Sequence, residues 1–77
     1  MVITKIKIEG NIGEFKVEIN PITKETYTMK FDLSDKYGEC LETDIPKDMI
    51  GYKGQARIAI DQYFGKDIPD RIVSYTH

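Results

Sequence analysis

The sequence predicts an α+β fold in which an antiparallel meander of three to four strands is covered on one face by a helix. Three observations support this class. Apolar and polar residues alternate through the first half, turn-forming residues separate the alternating stretches, and one later segment has apolar residues at helical spacing. With 77 residues, 40% hydrophobic and 31% charged, the chain is expected to form a single domain over 1–77.

The first three strands are predicted where the alternation has period two. Their expected bounds are 2–9, 14–20 and 26–33. In the first strand, Val2, Ile6 and Ile8 share one face, and Ile3 is the exception.

The register of these strands follows from keeping their apolar faces together. A loop over 10–13 places Ile8 opposite Phe15, and a loop over 21–25 places Phe15 opposite Phe31. Both loops contain the Gly, Asn or Pro residues expected of turns, and together they predict one continuous apolar layer.

A fourth strand is expected over about 39–45. It would add Leu41, Thr43 and Ile45 to the apolar face, although a bulge at Gly38 would shift this set.

The cover is predicted to be a helix over about 55–64. Its apolar stripe consists of Ala56, Ala59, Ile60, Tyr63 and Phe64. Gly65 stands where a helix commonly ends. The same residues also fit a strand, in which Ala56, Ile58 and Ile60 alternate. One helical turn is expected over 46–50, and a short last strand is expected over 71–76.

Charge gives little support to broad nucleic-acid binding, because the formal net charge is −2. The predicted register nevertheless aligns Lys7, Lys16 and Lys30 across three strands. This row is either an anion-attracting surface or an ordinary solvated face that nearby acidic residues neutralise.

Residues 50–65, IGYKGQARIAIDQYFG, contain the main candidate binding loop. Gly51, Tyr52, Lys53 and Gly54 precede the predicted helix, whose exposed N–H groups would favour an anion, and Arg57 adds charge one turn later. The GYKG segment resembles the GXXG loop of KH domains, which lies between two helices and carries a basic residue. That resemblance implies a loop that clamps a nucleic-acid backbone. The alternative is two glycines that ease the chain into a helix.

Catalytic or metal-binding patterns are not found in the sequence. His77 is the single histidine and the last residue, and Cys40 has no histidine nearby to activate it. Cys40 is expected on the outer face of the sheet or in a bulge. We therefore expect no enzyme activity, no cofactor and no metal ion.

The expected function is that of a small non-enzymatic binding or regulatory module that contacts other proteins, with a homodimer as one form of such contact. Open sheet edges would offer strand pairing. The alternative is a nucleic-acid-binding protein that uses the GYKG loop and the lysine row. A cytoplasmic location without membrane association is expected from the single cysteine and the lack of an export or membrane-spanning segment.

Overall fold

The computed structural model describes residues 1–20 and 22–74. Its elements, in chain order, are β1 (Val2–Glu9), β2 (Ile12–Asn20), β3 (Glu25–Asp32), β4 (Cys40–Thr43), a 3-10 helix (Lys47–Met49), α1 (Gly51–Asp61) and β5 (Arg71–Val73). The strands form one antiparallel sheet in the spatial order β4-β3-β2-β1-β5. The predicted α+β class is confirmed.

The hydrophobic core lies between α1 and one face of the sheet. Its buried apolar residues are Ile3, Phe15, Val17, Met29, Phe31, Ala56, Ala59, Ile60 and Ile72. Burying each of the larger side chains in this layer contributes about 1.5–3 kcal/mol to folding.

The helix is confirmed, but it begins and ends earlier than predicted. It starts at Gly51, because the 3-10 helix leads directly into it, and it ends at Asp61. The inward positions of Ala56, Ala59 and Ile60 are as predicted, whereas Phe64 lies beyond the helix and is exposed.

The predicted register of β1 and β2 is wrong. The two strands are joined by a tight turn at Gly10 and Asn11, with Gly10 at φ +60°, rather than by the longer predicted loop. Strand β2 therefore begins earlier than expected, and Ile8 lies opposite Gly13 instead of Phe15.

A bulge in β1 between Lys5 and Lys7 reverses the alternation along this strand. Ile3 lies opposite Val17 and is completely buried, whereas Ile6 is 49% exposed. The predicted bounds of β1 are confirmed, but its predicted inward face is wrong.

The pairing of β2 with β3 is displaced by two residues from the predicted register. Phe15 lies opposite Met29 rather than Phe31, and a bulge between Glu18 and Asn20 accompanies the change. Because side-chain direction repeats every two residues, the same residues still face the core. The rings of Phe15 and Phe31 remain neighbours on the diagonal, with centroids 6.2 Å apart.

Strand β4 carries a bulge that changes its inward residues. Cys40 lies opposite Phe31 and Thr43 opposite Met29, which leaves Leu41 as the extra residue. Leu41 is exposed, contrary to the prediction. Cys40 lies next to a bulge, as one prediction had it, but it packs against the core with Ile45 rather than on the outer face.

Strand β5 pairs with the first part of β1 and contributes buried Ile72. The end of the predicted strand, at 75–76, lies outside the described residues, as does His77.

The bulge makes a testable distinction between two isoleucines of β1. We expect Ile3→Ala to lower the free energy of unfolding by about 2–5 kcal/mol, because it empties a filled core position. The matched variant Ile6→Ala should cost less than about 1 kcal/mol, since Ile6 is half exposed. Urea denaturation followed by circular dichroism measures both. Equal losses would contradict the register observed here.

Candidate functional site

The GYKG segment is the first turn of α1 and not a loop. Ile50 already has helical backbone angles, φ −60° and ψ −26°, and the N–H of Lys53 donates to the carbonyl of Ile50 at 3.1 Å. Neither Gly51 nor Gly54 has a positive φ. The predicted KH-like loop is therefore wrong, because the preceding 3-10 helix continues into α1 without a break.

Arg57 is buried and does not present its charge to an external anion. The residue is 4% exposed, and its partner Asp61, one turn later, is 6% exposed. Arg57 Nε lies 3.1 Å from one carboxylate oxygen of Asp61 and 3.2 Å from the other. Arg57 Nη2 donates to the carbonyl of Asp35 at 2.6 Å. Nη1 has no hydrogen-bond partner among the described residues, but the guanidinium lies 5.6 Å from the centroid of the Phe31 ring, at cation–π distance.

This ion pair holds the loop between β3 and β4, residues 33–39, against the helix. The N–H of Tyr37 donates to Asp61 Oδ2 at 2.8 Å, and Tyr37 has a left-handed backbone at φ +61°. Gly38 follows, where a side chain would collide with the carbonyl of Asp32. The loop conformation therefore depends on the Asp61 carboxylate, which holds Tyr37, and on glycine at position 38.

Asp32 fixes the beginning of the same loop. Its Oδ1 accepts the hydroxyl of Ser34 at 2.6 Å and the N–H of Ser34 at 2.9 Å. These hydrogen bonds, together with the positive charge of Arg57, hold the pKa of Asp32 below its ordinary value. Asp32 is thus stabilised in its ionised form by the folded loop.

The predicted row of lysines on the outer face of the sheet is wrong. The row that crosses the strands from β1 to β4 consists of Lys7, Glu14, Lys30 and Glu42. Its charges alternate, and Lys30 Nζ lies 3.3 Å from Glu42 and 3.8 Å from Glu14. Lys16 lies in the neighbouring row, between Thr4 and Thr28. The register changes described above produce this arrangement, which is a face with both signs of charge.

The side of α1 that points away from the sheet forms a distinct surface, which we call the exposed helix face. Its members share exposure and the absence of charge: Ile50, Gly51, Gly54, Ile58 and Gln62. Ile50 is 54% exposed and Ile58 is 56% exposed. Tyr52 and Lys53 are half-buried residues of the same turn. In a chain with 31% charged residues, this uncharged face is a candidate contact surface.

The two glycines of this face have no packing reason within the chain. A Cβ added at Gly51 or at Gly54 would meet no atom within 4 Å. Glycine inside a helix costs about 1 kcal/mol relative to alanine. Because an added Cβ would meet nothing, the space above each glycine is open to another molecule.

A cleft of about 370 Å³ at the end of α1 is a second candidate site. Its apolar lining includes Ile8, Leu33 and Phe64. Two of its polar groups are already used inside the protein, because Lys5 Nζ donates to the carbonyl of Ile68 at 2.8 Å and Asp61 binds Arg57. The cleft therefore offers fewer polar contacts to a ligand than its lining suggests.

Candidate metal-binding side chains do not assemble in the part of the chain that the structure describes. No three His, Cys, Asp or Glu side chains of residues 1–20 and 22–74 lie together as a metal ion would require. Cys40 Sγ lies 3.5 Å from the carbonyl of Glu42, as a weak donor within its own strand.

Comparison with protein-family models, curated proteins and solved structures gives no match. Within the described residues, no helix is long and apolar enough to cross a membrane.

Sequence reasoning missed three residues that matter here. Asp61 follows Arg57 by four positions, which is the spacing of a helical ion pair and could have assigned Arg57 to the interior. Ile50 and Ile58 are eight positions apart, on the side of the helix opposite the predicted core stripe. That spacing could have identified the exposed helix face.

The buried ion pair predicts an asymmetric response to mutation. Asp61→Ala should lower the free energy of unfolding by about 3–5 kcal/mol, because it leaves the Arg57 guanidinium buried without its main partner. Replacing both residues, by Arg57→Met and Asp61→Leu, should cost less. Glu42→Ala, which breaks the exposed pair with Lys30, is the control and should cost at most about 1 kcal/mol. A loss for Asp61→Ala no larger than for the control would contradict the role of the pair.

The Asp32 contacts predict how stability depends on pH. Since the pKa of Asp32 is lower in the folded state than in the unfolded state, its contribution is present above about pH 3.9 and is lost as pH falls through the folded pKa. Ser34→Ala removes the hydroxyl donor and should reduce this loss. Urea denaturation between pH 7 and pH 2 measures the slope. Thr23→Ala, at an exposed turn residue, should leave the slope unchanged. The same slope for Ser34→Ala and wild type would refute the assignment.

Proposed function

We propose that this protein is a small non-enzymatic module that acts by contacting another protein through the exposed helix face. The observation that carries the proposal is the combination of two exposed isoleucines and two unpacked glycines on one uncharged helix surface. Side chains of this kind bury well against a partner, and the glycines permit its backbone or side chains to come close. A cytoplasmic setting belongs to the proposal and agrees with the single free cysteine.

The sheet edges give weaker support for contact by strand pairing. Strand β4 has only four residues and carries a bulge, and both features discourage the addition of a further strand. Beyond β4, the Asp44 side chain accepts the N–H of Thr28 at 2.9 Å, where a longer strand would have supplied a carbonyl. At the other edge, β5 pairs with the first part of β1, which is followed by the bulge. The helix face is therefore the better candidate.

The nucleic-acid alternative relied on two features that are arranged differently in the folded chain. The GYKG residues are helical, and the lysines of the outer sheet face alternate with glutamates. An alternating row does not present the continuous positive surface that tracks a phosphate backbone. We therefore do not extend the proposal to nucleic acid.

Site-specific photo-crosslinking in the native host tests the proposal. A photoreactive amino acid at position 58 should give a protein adduct, because Ile58 lies at the centre of the exposed helix face. The same group at position 16, which is exposed on the opposite face of the molecule, is the matched control and should give much less adduct. Gel mobility and mass spectrometry identify the products. Equal yields at both positions, or no adduct at position 58, would refute the proposed surface.

A further inference from the structure

The exposed helix face has one side chain that projects from it and, beside it, a gap where no side chain is present. Ile58 projects from the face, and the surface above Gly54, one turn earlier, is open. Because the two positions are four residues apart, they lie on neighbouring turns of the same side of α1. Gly51, one turn before Gly54, extends the gap toward the start of the helix.

This arrangement is complementary to itself. If two such helices pack antiparallel about a two-fold axis at the level of residue 56, Ile58 of each copy lies over Gly54 of the other. Each of these residues is about 3 Å along the helix from the axis, given a rise of about 1.5 Å per residue. An isologous contact of this kind fills both gaps at once.

The charges at the two ends of the face agree with the same symmetry. Lys47 and Asp48, just before α1, are exposed, and so are Lys66 and Asp67, which follow the helix and line the cleft at its end. None of these four side chains forms an ion pair within the described residues. Antiparallel packing brings the two ends together and allows each lysine to approach an aspartate of the other copy. It also opposes the two helix dipoles, which is favourable.

We propose that the partner of the exposed helix face is a second copy of this chain, packed antiparallel through α1. The inference rests on the proposed function, since it names the occupant of the same surface. A foreign partner would need to supply its own projection and gap at the same spacing, whereas a second copy has both. The contact is a single helix face on each side, so the dimer should be weak and concentration-dependent.

Sedimentation equilibrium of the purified chain and of variants at the projection, Ile58, and at the gap, Gly54, tests the inference. Wild type should show a monomer–dimer equilibrium. Gly54→Leu places projection against projection, and Ile58→Ala places gap against gap, so each variant alone should dimerise at least about tenfold more weakly. An equimolar mixture should recover heterodimers, because Leu at position 54 then meets Ala at position 58 and Ile58 meets Gly54. Circular dichroism confirms that both variants remain folded, as expected for exposed positions.

Gly54→Ala gives a second readout that folding effects alone cannot imitate. Alanine should raise the free energy of unfolding of the monomer, by relieving the cost of glycine in a helix, and should weaken the dimer by crowding the gap. A more stable monomer with weaker association supports the inference. Unchanged or stronger association in Gly54→Ala contradicts it.

The outcomes separate this inference from the proposed function. A strictly monomeric wild type whose position 58 crosslinks to a foreign protein overturns the second copy but supports the proposed surface. A dimer that none of these variants weakens, or a mixture that forms no heterodimer, also overturns the inference. A monomer with no adduct at position 58 overturns both.

Discussion

The buried ion pair between Arg57 and Asp61 fixes how α1 sits on the sheet. Taking two charges out of water costs several kcal/mol per ion unless hydrogen bonds replace the lost hydration. Here the carbonyl of Asp35 and the N–H of Tyr37 provide such bonds, and because hydrogen bonds are directional, a rotation of the helix would weaken them. An apolar stripe alone would permit small rotations and shifts, since it has no directional preference. The pair therefore couples the helix orientation to the loop between β3 and β4.

The orientation of the helix determines which residues remain outside. With Ala56, Ala59 and Ile60 against the sheet, the opposite side of α1 necessarily carries Ile50 and Ile58. Ala56 and Ala59 are small, so the buried stripe of α1 is narrow and Ile60 is its one large, fully buried side chain. The exposed isoleucines are thus not displaced core residues. They belong to a second apolar surface on the same helix.

The elements and the class of this fold could be predicted from sequence, whereas the pairing register could not. Alternation locates strands because it reports which residues can share a face, but it does not report bulges. One bulge in β1 was enough to bring Ile3 inward and expose Ile6. The prediction of a lysine row was wrong for the same reason, because the alignment of lysines across strands depends on the register. Arg57 was misassigned because a lone charged residue is ordinarily exposed.

The glycines of α1 connect the folding of the chain to its proposed function. A chain this small has a stability of only several kcal/mol, so about 1 kcal/mol for a glycine inside the helix, as at Gly54, is a substantial part of it. Glycine is needed elsewhere in the chain: Gly10 has a positive φ, and a side chain at Gly38 would strike the backbone. Gly51 and Gly54 meet neither condition, because their φ angles are helical and the space around them is open. Folding of the single chain therefore gives no reason for them, whereas the proposed dimer does, because dimerisation would stabilise the folded state by mass action and offset the cost.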